Sequence, residues 1–572
     1  MRWTHGPGTT AEAVDQGARL AAELGLKAPV GRILWARGQR DVAAAQRFLE
    51  PKLDQLPNPF ELKAIEPAVA RLCKALREKE KICVYGDYDV DGVTSTVLLV
   101  STLRKLGGTI DYYVPHRLIE GYGLNTEAMG KIAARGTRLL VSADCGVTAV
   151  AEVDAAAKLG LDVVVIDHHT ASQDLPRAVA ILNPHQPGCT FPGRELAAVG
   201  VAFHLLLALR KRLREQGFFA ERAEPNLREA LDLVALGTIA DVVPLTGANR
   251  VLVTFGLREL SRADRPGIAA LKKVAQLEGN VSAGDVGFKL GPRINAAGRL
   301  DDASVGVKLL LTEDLVEARA LAEELDRANA ERQDLQSRIA GEAIERAEKL
   351  GTPEQRRTLV VSAPGWHVGV VGIVAARLVE RFHRPALVLA EEGGVAKGSG
   401  RSVEGFHLYD ALARCSAHLS RFGGHKHAAG MQLPSSGLKA FSEALEAEAR
   451  TTLDPAQLCP RVRIDAYLEA VDVGPELAHE LQRLAPFGAG NPEPVFMCKA
   501  LQASEVRLLP DKRGLGPGHL KLRLSNDLDA IGFGLGALAL TPATSFDAAF
   551  QLTIDQWKGI ERVQLKLKDV LL

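Results

Sequence analysis

Val84-Tyr85-Gly86-Asp87-Tyr88-Asp89-Val90-Asp91-Gly92, VYGDYDVDG, is the stretch on which the fold of this chain turns. It leaves a short β-branched run, KICVYG, and then sets carboxylates at alternate positions, closed by a glycine. Three such charges repel one another unless they fan out into water or a strong positive charge draws them together. An isolated acidic loop is ordinarily solvated, so the second outcome needs further ligands from elsewhere in the chain.

Those ligands lie downstream. From residue 81 to about 245 the runs KICVYG, TIDYYV, RLLVSAD, LDVVVID and AVAILN alternate with helical patterns such as TSTVLLVSTLRKLGG and TAVAEVDAAAKLG. Short β-branched runs with helical crossovers predict an α/β fold, a doubly wound parallel sheet. Ligands of such sheets gather outside the carboxyl ends of the strands. Asp144 in SADCG, Asp167-His168-His169 in VVVIDHH and Asp241 in LVALGTIADVVPL also end apolar runs. Asp87, Asp89, Asp91, Asp144, His168, His169 and Asp241 are thereby predicted at one sheet edge. A carboxylate-rich set with imidazoles suits Mn²⁺ or Mg²⁺, and paired ions are a usual device for in-line attack of water on a phosphoryl centre. Singly, each residue has an ordinary reading: Asp144 as a helix cap, either histidine as a structural one, Asp241 as a turn residue. Their joint placement favours metal.

At 572 residues the chain exceeds one hydrophobic core. Lys+Arg and Asp+Glu are 70 each, so no global field draws in a polyanion and any nucleic-acid surface is local. Seven scattered cysteines without a Cys-x-x-Cys pair argue against a disulfide framework or zinc knuckle. The N-terminus lacks the apolar core of a signal peptide and no run approaches the roughly 18 apolar residues of a membrane span. A soluble cytoplasmic protein with no membrane association is expected.

Residues 313–350 contain no proline and carry apolar positions near helical spacing. One helix of that length runs roughly 55 Å, long enough to connect two domains; a break near Asn329 or Gly341 is the alternative. A second α/β unit follows, RTLVVSAPGWHVGVVGIVAARLVERFHRPALVLA, with a glycine-rich segment to about 432. Beyond 460 shorter strands, RVRIDAYL, HLKLRL, LDAIGFG, FDAAFQLTI and VQLKLKDVLL, suggest a small barrel. The expected division is an N-terminal extension (1–60), a catalytic core (61–312), a connecting helix (313–352), a second α/β domain (353–455) and the barrel (456–572).

GDYDVDG, SADCG, IDHH and GTIADVVPL, in that order, resemble the successive motifs of the DHH phosphoesterases. GPRINAAGRLDDAS, GWHVGVVGIVAARL, KGSGRSVEGFHLYDAL and FGGHKHAAGM resemble the core and DHH-associated domain of that family's single-strand-specific 5′→3′ exonucleases, and the C-terminal unit resembles their oligonucleotide-binding (OB) barrel. The resemblance implies two divalent ions, Mn²⁺ or Mg²⁺, on Asp89, Asp91, Asp144, His168 and Asp241. Asp87 would orient a ligand or the attacking water, and His169 would face the scissile phosphate.

Arg117, and Arg293, Asn295 and Arg299 of GPRINAAGR, are candidate phosphate contacts. Ser399, Arg401 and Ser402 of GSGRS, with His425, Lys426 and His427 of GGHKHAAG, have the composition of a phosphate-gripping loop; singly each is an ordinary turn. The resemblance assigns Arg401 and its loop to a 5′-terminal phosphate. Between Lys499 and Arg523, six Lys/Arg stand against two Asp/Glu, a basic strand and loop fit for tracking single-stranded DNA. Stacking candidates there are Phe487, Phe496, Phe533 and Trp557.

The resemblance implies hydrolysis of single-stranded DNA from the 5′ end to 5′-mononucleotides, in DNA repair and recombination. The protein would work as a monomer, with a single-strand-binding protein and a helicase as partners. The alternatives are a phosphodiesterase for short oligonucleotides or cyclic dinucleotides, and a non-catalytic single-strand-binding scaffold.

Overall fold

The computed structural model describes residues 2–117, 119–300, 302–510, 518–538, 540–542, 544–557 and 560–572, excepting the side chains of 300, 555–557 and 560. β1 (Arg2–His5) pairs in parallel with a strand of the C-terminal region, more than 450 residues on in the chain. The next strands, β2 (Lys81–Tyr85), β3 (Thr109–Tyr113), β4 (Leu139–Ala143), β5 (Asp162–Ile166) and β6 (Ala180–Leu182), form the sheet beneath the acidic motif, all parallel in the order β3-β2-β4-β5-β6. The centres of β2, β4, β5 and β6 are buried on both faces, which is why these strands read as unbroken apolar runs, while the edge strand β3 buries only Ile110. The order reverses between β2 and β4, and a crevice opens there at the strand ends. The acidic motif leaves β2 and Asp144 leaves β4 at that point.

Asp241 arrives differently. LVALGTIA is not a strand but part of the buried helix Leu231–Ala240, with Asp241 at its C-terminal end. That helix is apolar on all sides because core surrounds it, and an all-apolar run has no period by which to tell helix from strand.

The helix Leu315–Glu348 is unbroken. Ala318, Ala322 and Leu325 on its first half bury in the core of the parallel sheet. Ile339, Ala340, Ala343 and Ala347 on its second half bury in the core of the next sheet. That sheet holds β7 (Leu359–Pro364), β8 (Ala386–Glu392), β9 (Val395–Arg401), β10 (Arg421–Gly424) and β11 (Ala428–Pro434), in the order β10-β11-β9-β8-β7, with only β7 and β8 parallel.

In the C-terminal region β12 (Arg461–Ile464) pairs with β1 and stays outside the barrel. β13 (Ala466–Tyr467) edges β14 (Phe496–Leu509), and β14, β15 (His519–Leu524), β16 (Asp529–Gly532), β18 (Ile560–Leu571) and β17 (Ser545–Trp557) close into a barrel through the β14–β17 pairing. The sequence pattern does not mark β14, whose Met, Ala, Leu, Gln and Glu favour helix; cross-strand burial overrides that preference. Lys512, Arg513 and the Trp557 side chain lie outside the described residues. Phe496 is core, Phe487 packs against that core, and Phe533 is exposed. Arg523 is taken up by Asp527 and Asp529. No helix among the described residues is long and apolar enough to cross a membrane.

The N-terminal helices Ala11–Leu24, Ala28–Ala36 and Val42–Leu49 share a core with this barrel: Leu20, Val30, Leu34 and Phe48 pack with Phe496, Leu520 and Phe550. Arg250, on the helix Gly247–Arg262 of the parallel-sheet unit, ties that core to its own. Its guanidinium lies 3.8 Å from the Phe48 ring centroid and donates to the carbonyls of Phe48 (2.7 Å), Leu484 (2.9 Å) and Ala485 (2.8 Å). Burial pushes its pKa down to about 10. Replacing it strands those carbonyls: Arg250→Met is expected to cost about 3 kcal/mol of stability, measured by denaturant unfolding.

Candidate active site

The motif that leaves β2 turns directly into the helix Val90–Lys105. Asp89 caps it, accepting the amide of Gly92 at 3.1 Å. Gly92 sits so close to the preceding turn that a Cβ would lie 2.6 Å from the Asp87 nitrogen, so the closing glycine is required by contact. Asp91, fully buried, accepts the amides of Ala198 (2.7 Å) and Val199 (2.9 Å) at the start of the helix Ala198–Glu215. A helix N-terminus offers free amides and partial positive charge, which makes a buried carboxylate tolerable there.

Asp144 follows β4 with φ 68°, a left-handed backbone that aspartate tolerates better than most residues. It caps nothing: the next helix starts at Val150 after Ala149. Asp167 is the organiser of the third segment. It accepts the amides of Val147 (3.0 Å), His168 (2.7 Å) and His169 (3.0 Å), and the His169 Nδ1–H at 2.8 Å. Against the cost of burial, these donors hold Asp167 below the usual carboxylate range, and Asp167 in turn holds His169 above the usual imidazole range. The ring of His169 is thereby fixed with Nε2 turned away from Asp167.

The ligand atoms fall into three overlapping sets, Asp87-Asp89-Asp144, Asp91-His168-Asp241 and Asp144-His168-His169, each within 4.8 Å. His168 Nε2 lies 3.2 Å from Asp144 Oδ1, 3.5 Å from Asp241 Oδ2 and 3.9 Å from Asp91 Oδ2. His168 Nε2, Asp87 Oδ1, Asp144 Oδ1 and Asp241 Oδ2 are all buried without a hydrogen-bond partner. Polar atoms buried in that state are costly and rare, and here each belongs to at least one of the three sets that could hold a divalent cation. Burial first, then mutual repulsion, pushes Asp91 up to about 7 and Asp241 up to about 9, and raises Asp87 and Asp144 well above the usual range. Burial pushes His168 down to about 4, so its lone pair is free at neutral pH. The residues fit the ions.

A cationic face borders this cluster. Arg117 stacks 4.7 Å from the Tyr88 ring centroid. Arg299 donates to the Gly369 carbonyl at 3.1 Å, and its pKa is pushed down to about 10 by burial and by Arg117, Arg332 and Arg401. Arg401 bonds the Ser399 hydroxyl at 2.8 Å, and Gly372, in the first turn of the helix Val371–Phe382, is so placed that a Cβ would lie 3.2 Å from both the Arg401 Nη2 and the Ser399 Oγ. Guanidinium groups gathered at a helix N-terminus make an anion site. Arg293 is turned elsewhere, to Asp326 at 2.9 Å and the Lys289 carbonyl at 2.7 Å. Ser402 is spent on the Phe406 carbonyl at 2.8 Å. Asn295 is half-buried on the helix Gly291–Leu300. His425, Lys426 and His427 are exposed, and His425 lines a cleft of about 330 Å³ with Tyr122 and His169.

Three contributors escape a reading of the motifs alone. Asp167 was visible as the first letter of the triplet but carries no ligand pattern of its own. Tyr122, from the GYG turn, donates to the Asp144 carbonyl at 3.0 Å and lies 3.2 Å from His169 Nδ1. Arg332, buried on the long helix beside Asn329, adds its charge to the cationic face from what the sequence presents as a connector.

The raised carboxylates set the sign of the pH dependence. The native state binds their protons more tightly than the unfolded chain, so without metal the cluster's contribution to stability falls as pH rises from about 4 through about 9, where Asp241 ionises. His168 acts oppositely, losing stability below about 6.5. A cation must displace these protons, so Mn²⁺ affinity measured calorimetrically is expected to climb with pH, roughly tenfold per unit for each proton released. Asp241→Asn should flatten the upper part of that climb.

Family models match the chain as the DHH family N-terminal domain over residues 81–238, the DHHA1 domain over 356–451 and the RecJ OB domain over 464–569. The single-stranded-DNA-specific exonuclease RecJ of Escherichia coli is 42% identical over 97% of this chain and 98% of its own length. The crystal structure of Thermus thermophilus RecJ with Mn²⁺ matches all of this chain and 79% of its own at TM-score 0.84 and 34% identity. The Mg²⁺ complex of that protein matches all of this chain and 78% of its own at TM-score 0.79 and 32% identity. With identity of this order along its whole length, the parallel-sheet core, second α/β sheet and closed barrel described above are those of the RecJ family of DHH proteins, to which this chain belongs.

Proposed function

We propose that the chain hydrolyses phosphodiester bonds of single-stranded DNA stepwise from the 5′ end, releasing 5′-mononucleotides. The observation that carries this reading is the adjacency of a buried, unsatisfied carboxylate–imidazole cluster and a separate cationic site at a helix N-terminus. One suits the scissile phosphate and the other a terminal phosphate. The family membership supports the same reading, since the E. coli relative bears the name of a single-stranded-DNA-specific exonuclease.

Asp89, Asp91, Asp144, His168 and Asp241 would hold two divalent ions, Mn²⁺ or Mg²⁺, which when bound supply Lewis-acid neutralisation of phosphoryl charge. Asp87 orients the attacking water or a ligand. His169, its Nδ1–H committed to Asp167, presents Nε2 to the scissile phosphate and the leaving oxygen. Arg401, Ser399, Arg299 and Arg117, with the amides that open the helix Val371–Phe382, take the 5′-phosphate and set the register of cleavage. The barrel tracks the strand behind. By resemblance the setting is DNA repair and recombination in the cytoplasm, as a monomer beside a helicase and a single-strand-binding protein.

The test is end-labelled single-stranded DNA, with its blunt duplex as control, in Mn²⁺, Mg²⁺ or EDTA. The expected outcome is mononucleotide release from the 5′ end of the single strand alone, abolished by EDTA. Turnover of dinucleotides with no attack on long strands would instead assign the site to short substrates. Asp144→Ala and His168→Ala should each cut turnover by at least a hundredfold, on the scale of lost charge stabilisation at a reacting phosphate, while strand binding persists in a filter or anisotropy assay. Arg401→Ala should erase the preference for a 5′-phosphorylated end, read as the ratio of rates on phosphorylated and unphosphorylated strands.

A further inference from the structure

Nine residues other than glycine among those described have a left-handed backbone, and Val242, at φ 63°, is the only β-branched one. The second substituent on its Cβ makes that conformation rare for valine, and a residue held in it marks strain imposed by its surroundings. The cause is local. The buried helix Leu231–Ala240 ends at Asp241, and the position after such an end commonly turns left-handed, with glycine as its usual occupant. Pro244 disfavours helical backbone at Val243. Beyond it the Leu245 amide donates to the Ala489 carbonyl at 2.8 Å, and the Pro244 carbonyl accepts from the Asn249 side chain at 3.0 Å. The reversal between these two fixed ends falls on Val242.

The fold gains little from a side chain at that turn. Val243 packs against the core of the parallel sheet and Leu245 belongs to it, whereas Val242 is 69% exposed and forgoes most of what burial returns. Glycine would take the same turn without strain. The position of the side chain gives it a meaning. Asp87, Asp91 and Asp144 are at most 2% exposed, while the side chain of Asp241, one Cα step of ~3.8 Å from Val242, is 19% exposed. The acidic cluster is thus open to solvent at the residue next to Val242. The groups of the cluster and its cationic border are carboxylate, imidazole and guanidinium, which suit ions and phosphate. An isopropyl group suits neither, and fits the apolar faces of a sugar and a base.

We propose that Val242 is a substrate contact, its isopropyl group packing on the sugar and base of a nucleotide that flanks the scissile phosphate, so that the strand rather than the fold offsets the strain of the turn. This rests on the exonuclease reading and adds to it a residue that meets the nucleoside rather than the phosphate. Contact of this non-directional kind is made with any base. A role confined to aiming Asp241 accounts for the turn but not for the side chain, because the turn itself needs no isopropyl group.

The experiment compares Val242→Gly, Val242→Ala and Val242→Ile with the wild-type protein in denaturant unfolding, in Mn²⁺ affinity by calorimetry, and in kcat and KM on a 5′-phosphorylated oligonucleotide in Mn²⁺. Val242→Gly is expected to unfold at the wild-type denaturant concentration or above it, since it relieves the turn. It and Val242→Ala should bind Mn²⁺ as the wild type does and raise KM about tenfold, the scale of a lost isopropyl contact, with little change in kcat. Val242→Ile should keep the wild-type KM. A propanediol spacer in place of the first or second nucleotide keeps the phosphates and removes sugar ring and base; at the position that Val242 touches, the penalty of the variants should vanish. KM unchanged in both Val242→Gly and Val242→Ala overturns the assignment. So does a loss of Mn²⁺ affinity or kcat with KM intact, which gives Val242 to the aiming of Asp241, and so does a penalty undiminished on both spacer strands. Wild-type protein idle on every strand overturns the exonuclease reading and the contact with it, and is seen before any variant is compared.

Discussion

Repulsion among buried carboxylates is the constraint around which the molecule is built. Asp87, Asp89, Asp91, Asp144 and Asp241 converge from three segments far apart in sequence, most of them out of contact with water. No arrangement of hydrogen bonds within the cluster relieves this, as the unpartnered oxygens attest. The fold instead spends separate devices on individual members: a helix N-terminus beneath Asp91, a cap role for Asp89, and a bed of amides under the neighbouring Asp167. What these leave unsatisfied is a cavity of negative charge that only protons or cations can complete.

That division explains which residues must be rigid. A site whose members repel one another drifts apart unless its supports are over-determined. Gly92 pressed on Asp87, and the left-handed turn at Asp144, are local costs accepted for placement. The cationic face is the electrostatic counterpart. Its arginines raise the cost of one another's charge, as the lowered pKa of Arg299 records, and are held by carbonyls and hydroxyls rather than by acids. They remain available to an anion from outside.

Much of this is legible in the sequence because the chemistry is local there. The alternate aspartates, the triplet and the strand–helix alternation each lie within one segment, and a crevice at the strand ends follows from topology. Asp241 was readable as a member of the acidic cluster but not as the end of a helix, since LVALGTIA has no polar face to mark one. β14 was hidden by helix-favouring residues whose strand state is decided by partners across the barrel. The pairing of β1 with β12, the union of the N-terminal helices with the barrel, and the docking of Arg250 are contacts between distant segments that leave no periodic trace. Arg332 belongs to the same class: nothing in a charged helix distinguishes the one arginine that turns inward.

The helix Leu315–Glu348 joins more than two places in space. Its first half is part of the core of the parallel sheet and its second half part of the core of β7 and β8, with no glycine or proline between Leu315 and Arg338 to let it hinge. Melting either end exposes apolar residues of one core and loosens the helical turn on which the other depends. The two lobes are therefore coupled as a cooperative unit, and damage to one is felt in the other as lost protection of its amides, without any strand or substrate to carry the signal.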